Sequence, residues 1–175
     1  MNGNAEGLST RRLDWCVSGA LGVLAAVVYG ATVSAAAFPG EGARLMAVWA
    51  GLDTSAFSAY PVFSFFARLF GGGNVLAPVS GVFAVVALYH VAAFFVRERI
   101  LKDTAAGDAA PVLGAIGGGV TAALFLFTPC VWSAYTHLEP RGFAVAWLLA
   151  GALFFIPLAR GGTAVAWCAA MAVGA

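Results

Sequence analysis

Residues 15–37 read WCVSGALGVLAAVVYGATVSAAA and contain no charged side chain. A hydrocarbon layer of about 30 Å needs about 20 apolar residues of helix, so this run is long enough to cross a membrane. Arg11 and Arg12 precede it, and Ala35, Ala36 and Ala37 resemble the small residues of a secretory cleavage site. The apolar part nevertheless exceeds the roughly 7–15 residues of a signal core, and further apolar runs follow. An uncleaved first span is expected.

The rest of the chain has the same character. Hydrophobic residues make up 62% of its 175 positions and charged residues 10%, against about 45–50% and about 25% in soluble domains. The apolar residues come in long runs instead of recurring with a period of 2 or 3.6, so the expected fold is all-α, a polytopic transmembrane helical bundle. Nine Lys or Arg against eight Asp or Glu leave a net charge of +1. That balance provides no basic field for a nucleic acid. Cys16, Cys130 and Cys168 lack metal-type spacing and each lies in or beside an apolar run, so they are read as small buried hydrophobes, with no metal or cofactor expected.

A short N-terminal segment, 1–14, precedes the transmembrane part at 15–175. The second span is expected over 75–96 and stops at Arg97, Glu98, Arg99 and Lys102, which cannot enter hydrocarbon cheaply. The third covers 111–129 and ends near Pro129, because an interior proline removes a helical hydrogen bond. A fourth covers 142–159, and a fifth starts at 163 and is cut short at Ala175, as expected of the N-terminal part of a longer chain. With the N-terminus inside, the inner segments hold Arg11, Arg12, Arg97, Arg99, Lys102 and Arg160, and the outer ones Arg44, Arg68 and Arg141. Six against three fits the positive-inside rule and an inner, cytoplasmic membrane.

Small residues recur every four positions in the first span, at Ser18, Gly22, Ala26, Gly30 and Ser34, and again at Gly114 and Gly118. Such seams are expected to let helices pack closely in lipid. His90, alone in the second span, is read as a packed or interhelical hydrogen-bonding residue.

The outer loop at 38–74 is too long for a turn and too apolar for a disordered linker. Leu45, Val48, Trp49 and Leu52 follow i, i+3, i+4, i+7, the pattern of an amphipathic helix lying in the interface, opened by Pro39 and Gly40 and closed by Gly51. Glu41 falls in its first turn, on nearly the same side as the apolar stripe, where it complements the helix dipole. Asp53 and Thr54 follow as capping or turn residues. Tyr60 and Pro61 then lead into a short apolar helix that carries Arg68 and stops at Gly71, Gly72 and Gly73, before Asn74 starts the second span. At about ten residues this helix is interfacial or re-entrant. The second outer segment, 132–141, gathers His137, Glu139 and Arg141 beside Trp132 and Tyr135, which reads either as an aromatic belt with interfacial charges or as the polar wall of a site.

The order of these features resembles bacterial protein O-mannosyltransferase-like membrane proteins of the GT-C glycosyltransferase superfamily, over about residues 15–155. Their Asp-Ser-Gly-Glu corresponds here to Phe38, Pro39, Gly40 and Glu41, so the Glu is kept and the Asp is replaced. Their His-Pro-Pro-Gly-Tyr-Pro-Leu appears as Ala56, Phe57, Ser58, Ala59, Tyr60, Pro61 and Val62, which keeps the Tyr-Pro pair. Their Asn matches Asn74, with Ser80 downstream. Their Trp-Ser and Glu-Val-Tyr stretches are similar to Trp132, Ser133 and Glu139, with Pro140 and Arg141 in the last two places.

The resemblance implies transfer of a sugar from a polyprenyl-phosphate donor to an acceptor on the outer side of the membrane. It places Glu41, with Asp53 as second candidate, as the base that deprotonates an acceptor hydroxyl. Tyr60, Arg68, Asn74, His137, Glu139 and Arg141 become candidates for substrate binding, with Arg68 or Arg141 against the donor phosphate. Membrane lipid is the expected partner. Further spans and a soluble outer domain would follow Ala175. The competing reading is a non-enzymatic membrane scaffold or transporter-like subunit.

Overall fold

The computed structural model describes residues 3–33, 47, 61–70, 73–101, 109–137 and 139–159. The described residues are almost wholly helical and contain no strand. Their elements are α1 (Gly3–Thr32), α2 (Pro61–Leu69), α3 (Gly73–Phe95) continued by a π-helical turn (Val96–Ile100), α4 (Ala110–Phe127), α5 (Pro129–Thr136) and α6 (Pro140–Ala159). Three helical stretches, Thr10–Thr32, Asn74–Ile100 and Ala110–Phe127, are long and apolar enough to cross a membrane. The pair formed by α5 and α6, bent by 107°, makes a fourth if counted as one broken span.

Proline chemistry marks the helix boundaries. Pro61, Pro129 and Pro140 each open a helix, where the missing N–H costs nothing and the fixed φ suits the first turn. Thr128 is extended (φ −69°, ψ 124°), as the residue before a proline is pushed to be, and α4 ends there. Pro78 lies inside α3 and removes the N–H that would bond the Asn74 carbonyl. At the far end of α3 the Leu101 N–H reaches back five residues to the Val96 carbonyl at 3.0 Å, the bond that defines a π turn.

α3 is the central helix and packs against α1, α2, α4, α5 and α6. The buried core joins Ala25 and Tyr29 of α1, Ala84, Val85, Tyr89 and Ala93 of α3, Ala122 and Leu126 of α4, Tyr135 of α5 and Ala146 of α6. Small residues set the spacing. A Cβ on Gly118 would lie 2.8 Å from the Tyr89 carbonyl oxygen, and one on Gly81 2.8 Å from the rings of Tyr29 and Tyr135. Both glycines therefore permit an approach that a side chain would block.

The face that α1 buries is not the four-residue seam expected from its sequence. Ser18, Ala25 and Tyr29 are buried and Gly22 meets Val86, whereas Ala26 and Gly30 are exposed and Gly30 has nothing within 4 Å of its Cβ position. With about 3.6 residues per turn, a repeat of four drifts about 40° at each step. By Ala26 and Gly30 it has turned away from α3. Ser34 lies outside the described residues.

Candidate functional site

Of the candidate site residues, Glu41, Asp53 and Tyr60 lie outside the described residues, as does the expected amphipathic helix apart from Ala47, which is helical. Arg68 is exposed in the last turn of α2 and Arg141 is exposed in the first turn of α6. The ring of Phe143 packs against those of Phe63 at 5.5 Å and Phe66 at 5.7 Å, which fastens α2 to α6. The two arginines thus flank one aromatic contact, each two residues from a participating ring. Asn74 is half-buried in the first turn of α3, and His137 and Glu139 are half-buried in the connection between α5 and α6. The Glu139 N–H donates to the His137 carbonyl at 2.8 Å, and the His137 ring stands edge-on to Trp132 at 6.2 Å.

Two sequence expectations in this region are corrected. Tyr135 is 1% exposed and lies in the core against Tyr29, with ring centroids 5.5 Å apart, because residues 129–136 form a helix that turns this side chain inward. It belongs to no surface belt. Cys16 and Cys130 are free and exposed, on the outside of their helices, so they do not fill the core; Cys168 lies outside the described residues. His90 is packed, with ring centroids 5.0 Å from Tyr89 and 6.2 Å from Trp15.

Beside the Phe143 contact a groove of about 270 Å³ opens between α2, the first half of α3 and α6. Phe66, Phe70, Phe83, Phe143 and Trp147 supply aromatic walls. Its one hydroxyl, that of Ser80, is already donated to the Ala77 carbonyl at 2.8 Å. A groove so lined offers dispersion and no free polar partner, which suits an unbranched or isoprenoid hydrocarbon chain and repels a bare sugar.

The densest polar arrangement lies at the other end of α3. The guanidinium of Arg97 donates to both carboxylate oxygens of Asp14, each bond 2.7 Å, and the Tyr89 hydroxyl donates to Asp14 Oδ1 at 2.7 Å. Arg97 also donates to the Pro111 carbonyl at 3.0 Å. Three helices meet there. Arg97 lies flat on Gly114, whose Cβ position would collide with Arg97 Cγ and Nε. Sequence reading missed this cluster, because it placed Asp14 just outside the first span and treated Arg97 as part of a solvated stop signal. The available signal was one carboxylate, Asp14, bordering the first apolar run and an arginine, Arg97, directly bordering the next.

No group of three or more His, Cys, Asp or Glu side chains converges among the described residues. Compared with family models, curated proteins and solved structures, the chain gives no match.

Proposed function

We propose that this chain is a membrane-embedded, GT-C-type glycosyltransferase-like protein that takes a sugar from a polyprenyl-phosphate donor. In this reading α1, α3, α4 and the α5–α6 pair are spans of a polytopic bundle in the cytoplasmic membrane, with the N-terminus inside and the first loop lying on the outer interface. The observation that carries the proposal is the groove between α2, α3 and α6, lined by aromatic and aliphatic side chains and by Ser80, whose hydroxyl is bonded to the Ala77 carbonyl. It would hold the isoprenoid chain. Arg68 and Arg141, on the two helices that border it, would hold the donor phosphate through charge-assisted hydrogen bonds.

The chemistry is the one that the resemblance implies. The Glu41 carboxylate takes the proton of an acceptor hydroxyl as its oxygen attacks the anomeric carbon. The bond from that carbon to the phosphate oxygen breaks, and the polyprenyl phosphate leaves with its charge balanced by arginine.

Thermal unfolding of the purified protein tests the reading. A polyprenyl-phosphate sugar should raise the Tm more than the unglycosylated polyprenyl phosphate, and Phe83→Asp in the groove should abolish both shifts. Glu41→Gln should retain the lipid shift and lose sugar transfer. If neither lipid moved the Tm, the groove would have no lipid-donor role, and a non-enzymatic scaffold would be the better account. That second reading has its own observation: the polar groups that do converge, Asp14, Tyr89 and Arg97, are bonded to one another across helices, an arrangement that holds a bundle together.

A further inference from the structure

We propose that the end of the protein bearing Asp14 and Arg97 is a docking surface for anionic phospholipid headgroups, formed by Arg11, Arg12 and Arg99 with Trp15 beside them. This surface is separate from the groove, which lies against the opposite half of α3.

Some of the charges at this end are already used. Arg97 has both terminal nitrogens on Asp14, one of them also on the Pro111 carbonyl, and its Nε is buried against the protein. Its side chain is 19% exposed, so it offers little to a ligand. Asp14 in turn is occupied by Arg97 and Tyr89. Arg11, Arg12 and Arg99 are exposed. The half-buried Glu98 is the remaining described carboxylate on this end of α3. The internal pair therefore cancels one positive and one negative charge and, among the described side chains, leaves arginine dominant at this end.

The same pair marks where the two arginine-bearing turns adjoin. Asp14 is three residues from Arg11 and two from Arg12, and Arg97 is two from Arg99, so the 2.7 Å contact ties the two arginine-bearing turns to each other. The Trp15–His90 ring contact fastens α1 to α3 a second time at the same level. Arg11 and Trp15 are four residues apart and share one helix face.

The position along the helices selects the ligand. Both turns sit at the ends of stretches long enough to cross a membrane, which is where phosphates of lipid headgroups lie. Trp15 is 64% exposed and Phe95 56%, an aromatic skirt of the kind that settles between headgroup and hydrocarbon. The planar guanidinium matches a phosphate through two parallel N–H donors and stays charged at every physiological pH.

The experiment uses the purified chain in detergent micelles and measures its Tm against added phosphatidylglycerol, phosphatidylcholine or inorganic phosphate. Phosphatidylglycerol should stabilise at lower concentration than phosphatidylcholine. Each of Arg11→Gln, Arg12→Gln and Arg99→Gln should weaken its apparent affinity about fivefold and leave the response to phosphatidylcholine unchanged. Asp14→Asn should lower the Tm of the lipid-free protein without weakening the preference for phosphatidylglycerol, which separates headgroup docking from helix packing. Equal stabilisation by the two lipids, or an Arg11→Gln/Arg12→Gln/Arg99→Gln triple variant that keeps the preference, would overturn the proposal. Stabilisation by inorganic phosphate alone, as strong as by the anionic lipid, would also overturn it in favour of a free-phosphate site.

Discussion

Arg97 grips Asp14 through two hydrogen bonds of 2.7 Å, although 83 residues separate them in the chain. Each is less than one-fifth exposed, and the pair joins α1 to the end of α3 while the same guanidinium holds the first turn of α4. Three helices are thereby set in register by one side chain.

Breaking that pair should loosen the fold measurably. Asp14→Asn removes the counter-charge and one of the two acceptor oxygens that Arg97 uses, a loss of about 2–3 kcal/mol for a partly shielded, charge-assisted pair. A double-mutant cycle with Arg97→Gln, read by chemical or thermal unfolding in detergent, should give a coupling of about 1–2 kcal/mol. Strict additivity of the two losses would show that the contact contributes nothing.

The glycines should divide by what surrounds them. Gly118→Ala puts a methyl group against the Tyr89 carbonyl and Ala93, and should destabilise by about 1–3 kcal/mol through overpacking. Gly30→Ala meets open space and should be neutral or stabilise by up to about 1 kcal/mol, the helix-propensity gain. Parallel melting curves decide the matter: a Gly118→Ala protein as stable as Gly30→Ala would mean that α3 and α4 are farther apart than described.

Three buried tyrosines should respond differently to loss of the hydroxyl. Those of Tyr29 and Tyr135 are buried and have no hydrogen-bond partner among the described residues, so Tyr29→Phe and Tyr135→Phe should leave stability unchanged or raise it by up to about 1 kcal/mol. Tyr89→Phe removes a 2.7 Å bond to a carboxylate and should cost about 1.5–3 kcal/mol. A Tyr135→Phe protein that unfolds as readily as Tyr89→Phe would reveal a partner for the Tyr135 hydroxyl.

The exposed thiols offer a check on helix rotation. Cys16 and Cys130 point away from the packed core, so alkylating either in detergent, in a variant with the other two cysteines replaced by serine, should leave the Tm within about 1 °C. A large fall on alkylation of Cys16 would place it in a helix interface and turn α1 from its described orientation.

Much of the helical layout was legible because its causes are local. The uncharged run after Trp15 and the proline at 61 act through solvation and backbone chemistry that need no distant partner, whereas Pro129 was read only as the end of a span and Pro140 not as a helix start. The contents of the site were less legible. Arg68, Asn74, His137, Glu139 and Arg141 were singled out by residue type and by a resemblance, and the roles of Glu41, Asp53 and Tyr60 rest on that resemblance. The aromatic groove was invisible in the sequence, since Phe66, Phe83 and Phe143 each read as ordinary apolar residues of their own helices.

The sequence by itself therefore determined that the chain forms long apolar helices of membrane-crossing length and where several of them begin. Only the tertiary structure decided which faces meet: Ser18, Gly22, Ala25 and Tyr29 inward instead of a four-residue seam, Tyr135 in the core instead of at the surface, and Asp14 on Arg97. The physical reason is that these helices are apolar nearly all round, so no amphipathic period distinguishes a packed face from an outward one. That choice falls to shape, to the close approach allowed at Gly81 and Gly118, and to one ion pair between residues far apart in the chain.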